Sequence, residues 1–484
     1  MLEYRPCLRL AYFLLSCAIY LLALFLFPQT VLTVRDEANY LGAARFMLEH
    51  RSLNFELSAA SGDGLIPWFE EHNGHKAPLH PLGLSFLVLP FLALFGMKGA
   101  YFFQLLLFLL GGHFFRKILE RRNIPASFQL LYLFFPPFIL YGRFFLADMP
   151  SAVFLLGALN FLDRNNASSG PALMGIACLG AAFIVKPVNA LFIAPLALLF
   201  LVRTFRERRF LPIVLFMATG ALFFCLQLFI NHATTGRLFE FSYRTGAMFD
   251  WENVRENAPF YLLALCACYP AMLAGLGSFF RKQEWFLLAT FANGLLFYSF
   301  FSYIDYDANP LLSLVRGQRF LLPYNALLLI GYAALLARIG PFVRFFTRFH
   351  GLFLAVGLAA VLLVAAAHDG FAAGNRTMRD WVYSHIREGD DAAIVYNIDS
   401  SEFIHGLYGK RNYRIIRSGD EFTAAFAEVM GKYKRILIVE TNHVFRKGPS
   451  YIAPLLKGPL PAGYRIDAQV DHPPYRMLCL VRSD

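Results

Sequence analysis

The feature that most limits what this chain can fold into is a succession of long apolar runs separated by short basic clusters. They occupy residues 8–28, 100–115, 126–142, 149–162, 171–185, 188–202, 210–230, 259–279, 285–303, 320–337 and 349–367. About 20 apolar residues in a helix cross the ~30 Å hydrocarbon core of a bilayer. A soluble core does not hold so many, and the composition agrees: 57% hydrophobic, 53 Phe and 16% charged among 484 residues. The chain therefore reads as an α-helical polytopic membrane protein. Its formal charge of +11 does not indicate nucleic acid, because the cations gather between apolar runs, where they set topology.

Arg5 and Arg9 precede the first run, and no small-residue cleavage site follows it before Asp36, so it reads as an uncleaved anchor with a cytoplasmic N-terminus. A further run, 79–95, is rich in Pro and Gly and ambiguous. Parity decides it. If it does not span, Arg116-Lys117 with Arg121-Arg122, the cluster Arg203 to Arg209, Arg281-Lys282 and the cluster Arg338 to Arg348 all face the cytoplasm, as the positive-inside rule requires. Residues 79–95 then form an interfacial or re-entrant helix, and the count is about eleven spans, within roughly 10–13.

This topology places 30–78, the turn around 143–148, Lys186-Pro187, 231–258, 304–319 and everything after about 368 on the extracytoplasmic side. Past 368 the composition becomes mixed. Residues 379–388 read as a helix, Ala392-Tyr396 as a strand, Asp420-Tyr433 as a helix and Arg435-Glu440 as a strand. The expected organisation is a membrane domain, 1–370, carrying the loop 30–78, followed by a small α/β domain, 375–484. The seven cysteines are scattered, five of them in apolar runs, and form no disulfide or metal framework.

The sharpest chemistry lies in Val34-Arg35-Asp36-Glu37-Ala38-Asn39-Tyr40, where the first run gives way to a polar loop. Asp36 sits where an N-cap would start a helix to His50, with Tyr40, Ala43, Ala44, Met47 and Leu48 as its apolar stripe. Capping is one role for Asp36. Paired acids at a membrane boundary are costly, which argues for chemistry as the other.

Asp36-Glu37-x-x-Tyr40, followed by Ala43-Ala44-Arg45, resembles the Asp-Glu-x-x-Tyr motif in the first outer loop of the GT-C glycosyltransferases. These membrane enzymes take sugars from polyprenyl-phosphate donors and include protein O-mannosyltransferases and lipid A aminoarabinose transferases. Later stretches are similar in order: His75-Lys76-Ala77-Pro78 and a helix ending Leu94-Phe95-Gly96, Tyr141-Gly142-Arg143 through Asp148-Met149-Pro150, Val185-Lys186-Pro187, Asn231 through Gly236 to Tyr243, and Arg319-Phe320-Leu321-Leu322-Pro323. One departure is Ala77 between Lys76 and Pro78, where relatives place Pro directly after Lys.

The resemblance implies an inverting transfer with Asp36 as the base that takes the acceptor's hydroxyl proton. The leaving phosphate needs cations rather than an acid. Candidates are Lys76, Arg244 and Arg319, with Arg143 and Lys186 behind them; the alternative for each is snorkelling to headgroups. Asp148 matches a recurring family carboxylate that orients acceptor or sugar, or else pairs with Arg143. Glu37 is expected to hold an arginine. Tyr40 and Tyr243 either hydrogen-bond a sugar or phosphate or anchor at the interface. Asp305 and Asp307 carry a weak metal reading, without clear partner ligands, and no metal is required. His72, His75 and His80 read as a solvated loop, since their spacing matches no zinc motif.

The expected partners are a polyprenyl-phosphate sugar donor, membrane lipid, and a lipid, glycan or protein acceptor, in a bacterial inner membrane with the active site facing outward. The chain shows no Gly-rich nucleotide loop, which disfavours a nucleotide-sugar donor. It also lacks the Trp-Trp-Asp stretch of oligosaccharyltransferases. The competing class is a transporter or flippase of a lipid-linked sugar, which would show repeat symmetry and midplane charges.

Overall fold

The computed structural model describes residues 6–29, 33–55, 69–72, 75–162, 169–241, 248–302, 304, 309–385, 392–397, 412–416, 419–441, 450, 452–457, 460, 462–472 and 475–483. In chain order the helices and strands begin with α1 (Pro6–Leu26), α2 (Arg35–His50), β1 (Phe69–His72), β2 (His75–Pro78), α3 (Gly83–Arg121), α4 (Leu130–Leu133), α5 (Pro136–Tyr141), α6 (Asp148–Leu162), α7 (Ser169–Val185) and α8 (Ala190–Arg206). There follow α9 (Phe210–Thr235), α10 (Trp251–Cys268), α11 (Leu276–Arg281), α12 (Trp285–Phe300), α13 (Pro310–Arg316), α14 (Leu322–Leu336), α15 (Gly340–Arg348) and α16 (His350–His385). The last elements are β3 (Ala392–Asn397), β4 (Asn412–Ile416), α17 (Gly419–Val429), β5 (Arg435–Thr441), α18 (Ile452–Lys457), β6 (Tyr464–His472) and β7 (Tyr475–Arg482).

The chain divides into two compact units. One comprises 1–28, 81–230 and 243–366; the other comprises 29–80, 231–242 and 367–484. The polar loop after α1 thus clusters with the C-terminal segment, a grouping that a linear boundary near 370 does not express.

The first unit is a helix assembly. Among the described residues five helices, at Gly83–Arg121, Pro187–Arg206, Phe210–Thr235, Pro310–Leu336 and His350–His385, have the length and apolarity to cross a membrane. The pair Trp251–Cys268 and Met272–Arg281 has that apolarity only when taken together and is bent by 89°, the geometry of a broken span or a re-entrant loop. Shorter apolar helices lie at Leu10–Leu26, Asp148–Leu162, Gly170–Val185 and Trp285–Phe300. The apolar window of Pro310–Leu336 is 94% buried and that of Phe210–Thr235 11%. The first is therefore a central helix, and the second lies at the periphery of the assembly with its apolar side chains exposed.

The ambiguous run 79–95 joins the run 100–115 within α3, and the two arms meet at Gly96, with φ 58° and ψ −149°. That backbone region is open essentially to glycine alone, which is why the helix breaks there.

In the second unit α2 and the β1–β2 hairpin form the loop. His72 pairs with His75 and Phe69 with Pro78. The C-terminal segment forms a five-stranded sheet ordered β4-β3-β5-β7-β6. β3 is parallel to β4 and β5, whereas β7 is antiparallel to β5 and β6.

Period-two alternation in β5 sends Leu437 and Val439 to one face and Ile436 and Ile438 to the other. The first face packs on Met378 and Val382 of α16; the second packs on Phe422, Phe426 and Val429 of α17 and Ile452 of α18. The helix expected at 379–388 is the end of α16 rather than a separate element. Beyond Ala367 the helix packs one stripe, including Met378 and Val382, on the sheet, and its composition becomes mixed while the backbone continues.

Candidate active site

The functional residues named from the sequence fall into two groups, one in each unit. In the polar-loop unit, α2 begins one residue before Asp36: Val34 is the N-cap, with extended backbone (φ −136°, ψ 151°). Asp36 is therefore not the cap. The work at this helix end is done by Glu37, whose Oε2 accepts Thr33 N–H at 2.7 Å, Thr33 Oγ1–H at 2.9 Å and Val34 N–H at 3.3 Å. Reaching back to the N-cap amide from the third helical position is the reciprocal half of a capping box. Glu37 is fully buried, whereas the Asp36 side chain keeps 28% exposure.

Asp36 Oδ1 lies 3.2 Å from His80 Nε2, and the His80 side chain is only 11% exposed. Tyr40, one turn along α2, stacks on the same imidazole with ring centroids 4.9 Å apart. The solvated-loop reading of His80 is thus incorrect: this histidine is packed against the acid and the tyrosine of the motif. Asn39 is 2% exposed, and neither of its side-chain polar atoms has a hydrogen-bond partner among the described residues.

Lys76 lies on β2 opposite Glu71, while its side chain is outside the described set. Beside β2, Gly236 turns with φ +75°, and a Cβ there would come within 2.7 Å of His75 Cδ2. Two of the stretches quoted above, 75–78 and 231–236, therefore meet.

The helix-assembly unit holds a second group. Asp148 opens α6, where a first-turn acid complements the helix dipole and Pro150 lacks an N–H that the helix does not need there. Its carboxylate is 2% exposed and bound from both sides. Lys186 Nζ donates to Oδ1 at 2.6 Å and Arg319 Nε donates to Oδ2 at 2.9 Å. Lys186 also lies over the Phe320 ring at 4.7 Å and the Tyr298 ring at 5.6 Å. Arg143 instead donates through Nη2 to the Phe27 carbonyl at 2.9 Å, so the pairing of Asp148 with Arg143 is replaced by pairing with Lys186 and Arg319.

Three braces hold this group. Asn189 Nδ2 bridges Ser151 Oγ of α6 and the Ala182 carbonyl of α7, both at 2.8 Å, on either side of Lys186. Gln104 of α3 donates to the Leu146 carbonyl at 3.4 Å, just ahead of Asp148. Gln318, beside Arg319, donates to the Ala264 carbonyl at 2.9 Å and accepts from Asn325 at 3.0 Å. Among the described residues two cations meet on this one carboxylate, a cation-rich setting that suits an anion.

Comparison with solved structures finds the same fold across essentially the whole chain. A crystal structure of ArnT from Cupriavidus metallidurans bound to undecaprenyl phosphate matches with a TM-score of 0.62 at 15% identity, covering 97% of each chain. The chain has the fold of this ArnT. The apo state of the same ArnT gives a TM-score of 0.60, and the mycobacterial arabinofuranosyltransferase AftD (mutant R1389S) gives 0.52 at 14% identity, covering 97% of this chain and 41% of that one. No protein-family model and no curated protein matches the chain.

Within this fold Asp148, Lys186 and Arg319 converge, and so do Asp36, Tyr40 and His80, while the Glu37 carboxylate turns to Thr33 and Val34. Tyr243, Arg244, Asp305 and Asp307 lie outside the described residues. Among those described, no three His, Cys, Asp or Glu side chains are grouped to hold a metal ion. His80 was recoverable from the sequence only through its place two residues after Pro78, at the end of the hairpin.

Proposed function

We propose that this protein is an inverting glycosyltransferase that moves a sugar from a polyprenyl-phosphate donor to a lipid, glycan or protein acceptor at the extracytoplasmic membrane face. The observation that carries the reading is the buried Asp148 carboxylate bound by both Lys186 and Arg319, a cation-rich cluster in a fold shared with an ArnT crystallised with undecaprenyl phosphate.

The acceptor hydroxyl gives its proton to the Asp36 carboxylate as its oxygen attacks the anomeric carbon. The bond from that carbon to the phosphate oxygen breaks, and its electron pair leaves on the polyprenyl phosphate. That product is a stable anion with no need of a general acid, and the family resemblance gives its added charge to basic side chains, with Arg319 and Lys186 among the candidates. Asp148 keeps both cations aimed. Lys76, Arg143, Tyr243 and Arg244 are assigned to the same donor by resemblance, with Tyr40 and Glu37 shaping the loop around Asp36. No step is routed through a metal ion.

The test is turnover by the purified full-length protein in lipid, using a panel of radiolabelled polyprenyl-phosphate sugars, for wild type and Asp36→Asn. Transfer by wild type and its loss in folded Asp36→Asn is the expected result. Transfer that survives the substitution removes Asp36 as base. Movement of donor across the bilayer without any transfer would instead establish the transporter reading.

A further inference from the structure

At residue 368 the apolar stretch of α16 ends in a histidine that is 6% exposed. Both nitrogens of its ring are engaged. Gln29 Nε2 lies 2.8 Å from His368 Nδ1, and Thr33 Oγ1 lies 3.0 Å from His368 Nε2. An amide nitrogen only donates, so Nδ1 is the acceptor and the proton of the neutral imidazole sits on Nε2. That N–H donates to Thr33 Oγ1, whose own hydroxyl proton goes to Glu37 Oε2 at 2.9 Å. The bonds run in one direction, from Gln29 through His368 and Thr33 to the buried Glu37 carboxylate.

We infer that His368 is a positioning residue for Asp36, acting through Thr33 and Glu37. The inference rests on the reading of Asp36 as base. Asp36 and Glu37 are adjacent in the first turn of α2, so whatever fixes the Glu37 carboxylate fixes the Asp36 backbone. The Thr33 and Val34 amides hold Glu37 locally, but they belong to the same strand of chain and move with it. His368 is the member contributed from far along the chain, 335 residues from Thr33, on a helix that is itself packed against the C-terminal sheet through Met378 and Val382. A base displaced by an ångström loses about 100-fold in rate, so a tether of this kind affects turnover more than donor binding.

The experiment uses the full-length protein in lipid nanodiscs and reads turnover against donor concentration together with hydrogen–deuterium exchange of the 33–40 amides. His368→Ala is expected to lower kcat by about 10- to 100-fold while donor KM stays within about threefold, and to speed exchange at 33–40. A glutamine places its amide nitrogen near the former Nε2 and keeps the donor to Thr33; an asparagine keeps only the acceptor toward Gln29. His368→Gln therefore restores most of kcat and of the protection, and His368→Asn does not. Thr33→Val reproduces His368→Ala, and the double variant is no worse than either single one.

Wild-type kcat and wild-type exchange at 33–40 in His368→Ala overturn the proposal, as does equal recovery by glutamine and asparagine. If His368→Ala does not fold, His368→Gln, His368→Asn and Thr33→Val decide, and the exchange measurement needs no donor. Retained turnover in Asp36→Asn sinks the base assignment whatever His368 does. Loss at Asp36 with normal turnover and exchange at His368 removes only the tether.

Discussion

His80 Nε2 stands 3.2 Å from Asp36 Oδ1, and the same imidazole carries Tyr40 stacked at 4.9 Å between centroids. The acid of the motif is therefore held by a side chain from beyond the hairpin, at the head of α3, as well as by its own helix. His80→Ala is expected to lower turnover by about 10-fold, the loss of one close polar contact that positions the carboxylate, and His80→Gln to lose less. Initial rates at saturating donor measure it. Equal activity in all three proteins would show the contact to be packing alone.

The Asp148 cluster makes a different prediction, because its charges are mutually dependent. Asp148→Asn removes the carboxylate that both Lys186 and Arg319 bind, and breaking a buried pair in this way costs about 3–5 kcal/mol at the fully buried limit. Lys186 keeps 19% exposure, which screens part of that. Asp148→Asn combined with Lys186→Met should recover thermal stability lost in the single variant without recovering transfer. Melting curves and rates on the same samples separate the two; a double variant that melts no higher than Asp148→Asn would refute the charge argument.

The turn that carries Lys186 depends on the absence of a side chain elsewhere. A Cβ on Gly83, at the start of α3, would lie 2.3 Å from the Ile184 carbonyl oxygen and 2.6 Å from the Val185 nitrogen. Those are backbone atoms, so rotamer change gives no relief. Gly83→Ala should push the Val185-Lys186-Pro187 turn away and weaken binding of inorganic phosphate or polyprenyl phosphate, with a loss of stability of about 1–3 kcal/mol from overpacking. Gly277 has open space around it, which makes Gly277→Ala the control. Equal phosphate-ligand affinity in both variants would dissociate Gly83 from the Lys186 turn.

What the sequence disclosed follows from which forces leave a local trace. Crossing a bilayer imposes apolarity residue by residue, so the spans were legible, and so was the break at Gly96, where a motif and a backbone requirement coincide. Asp148, Lys186 and Arg319 were legible singly. Their pairing was not, because the partners stand 38 and 171 residues from Asp148 and nothing local distinguishes them from Arg143, five residues away. Asp36 was assigned the cap because an acid at a helix start is a common one; the structure shifts the boundary and gives that work to its neighbour. His80 and His368 act through tertiary contacts alone. In the C-terminal segment, β3, β5 and α17 carried continuous or periodic apolar patterns, whereas β6, an edge strand with exposed Arg465 and Asp467, carried none.

Asn39 gives the last prediction. It lies between Glu37 and Tyr40 in the motif, 2% exposed, with both amide atoms unpartnered among the described residues. An unsatisfied buried amide costs about 1–3 kcal/mol, so a leucine of similar volume should raise the stability of the ligand-free protein. If the amide serves the reaction, the stabilised Asn39→Leu protein turns over more slowly, the expected trade between stability and function. Thermal denaturation without ligand and initial rates with donor are the two measurements. A variant that is both more stable and fully active would leave Asn39 with no part in the transfer; one that is less stable would mean the amide is satisfied in the membrane-embedded protein.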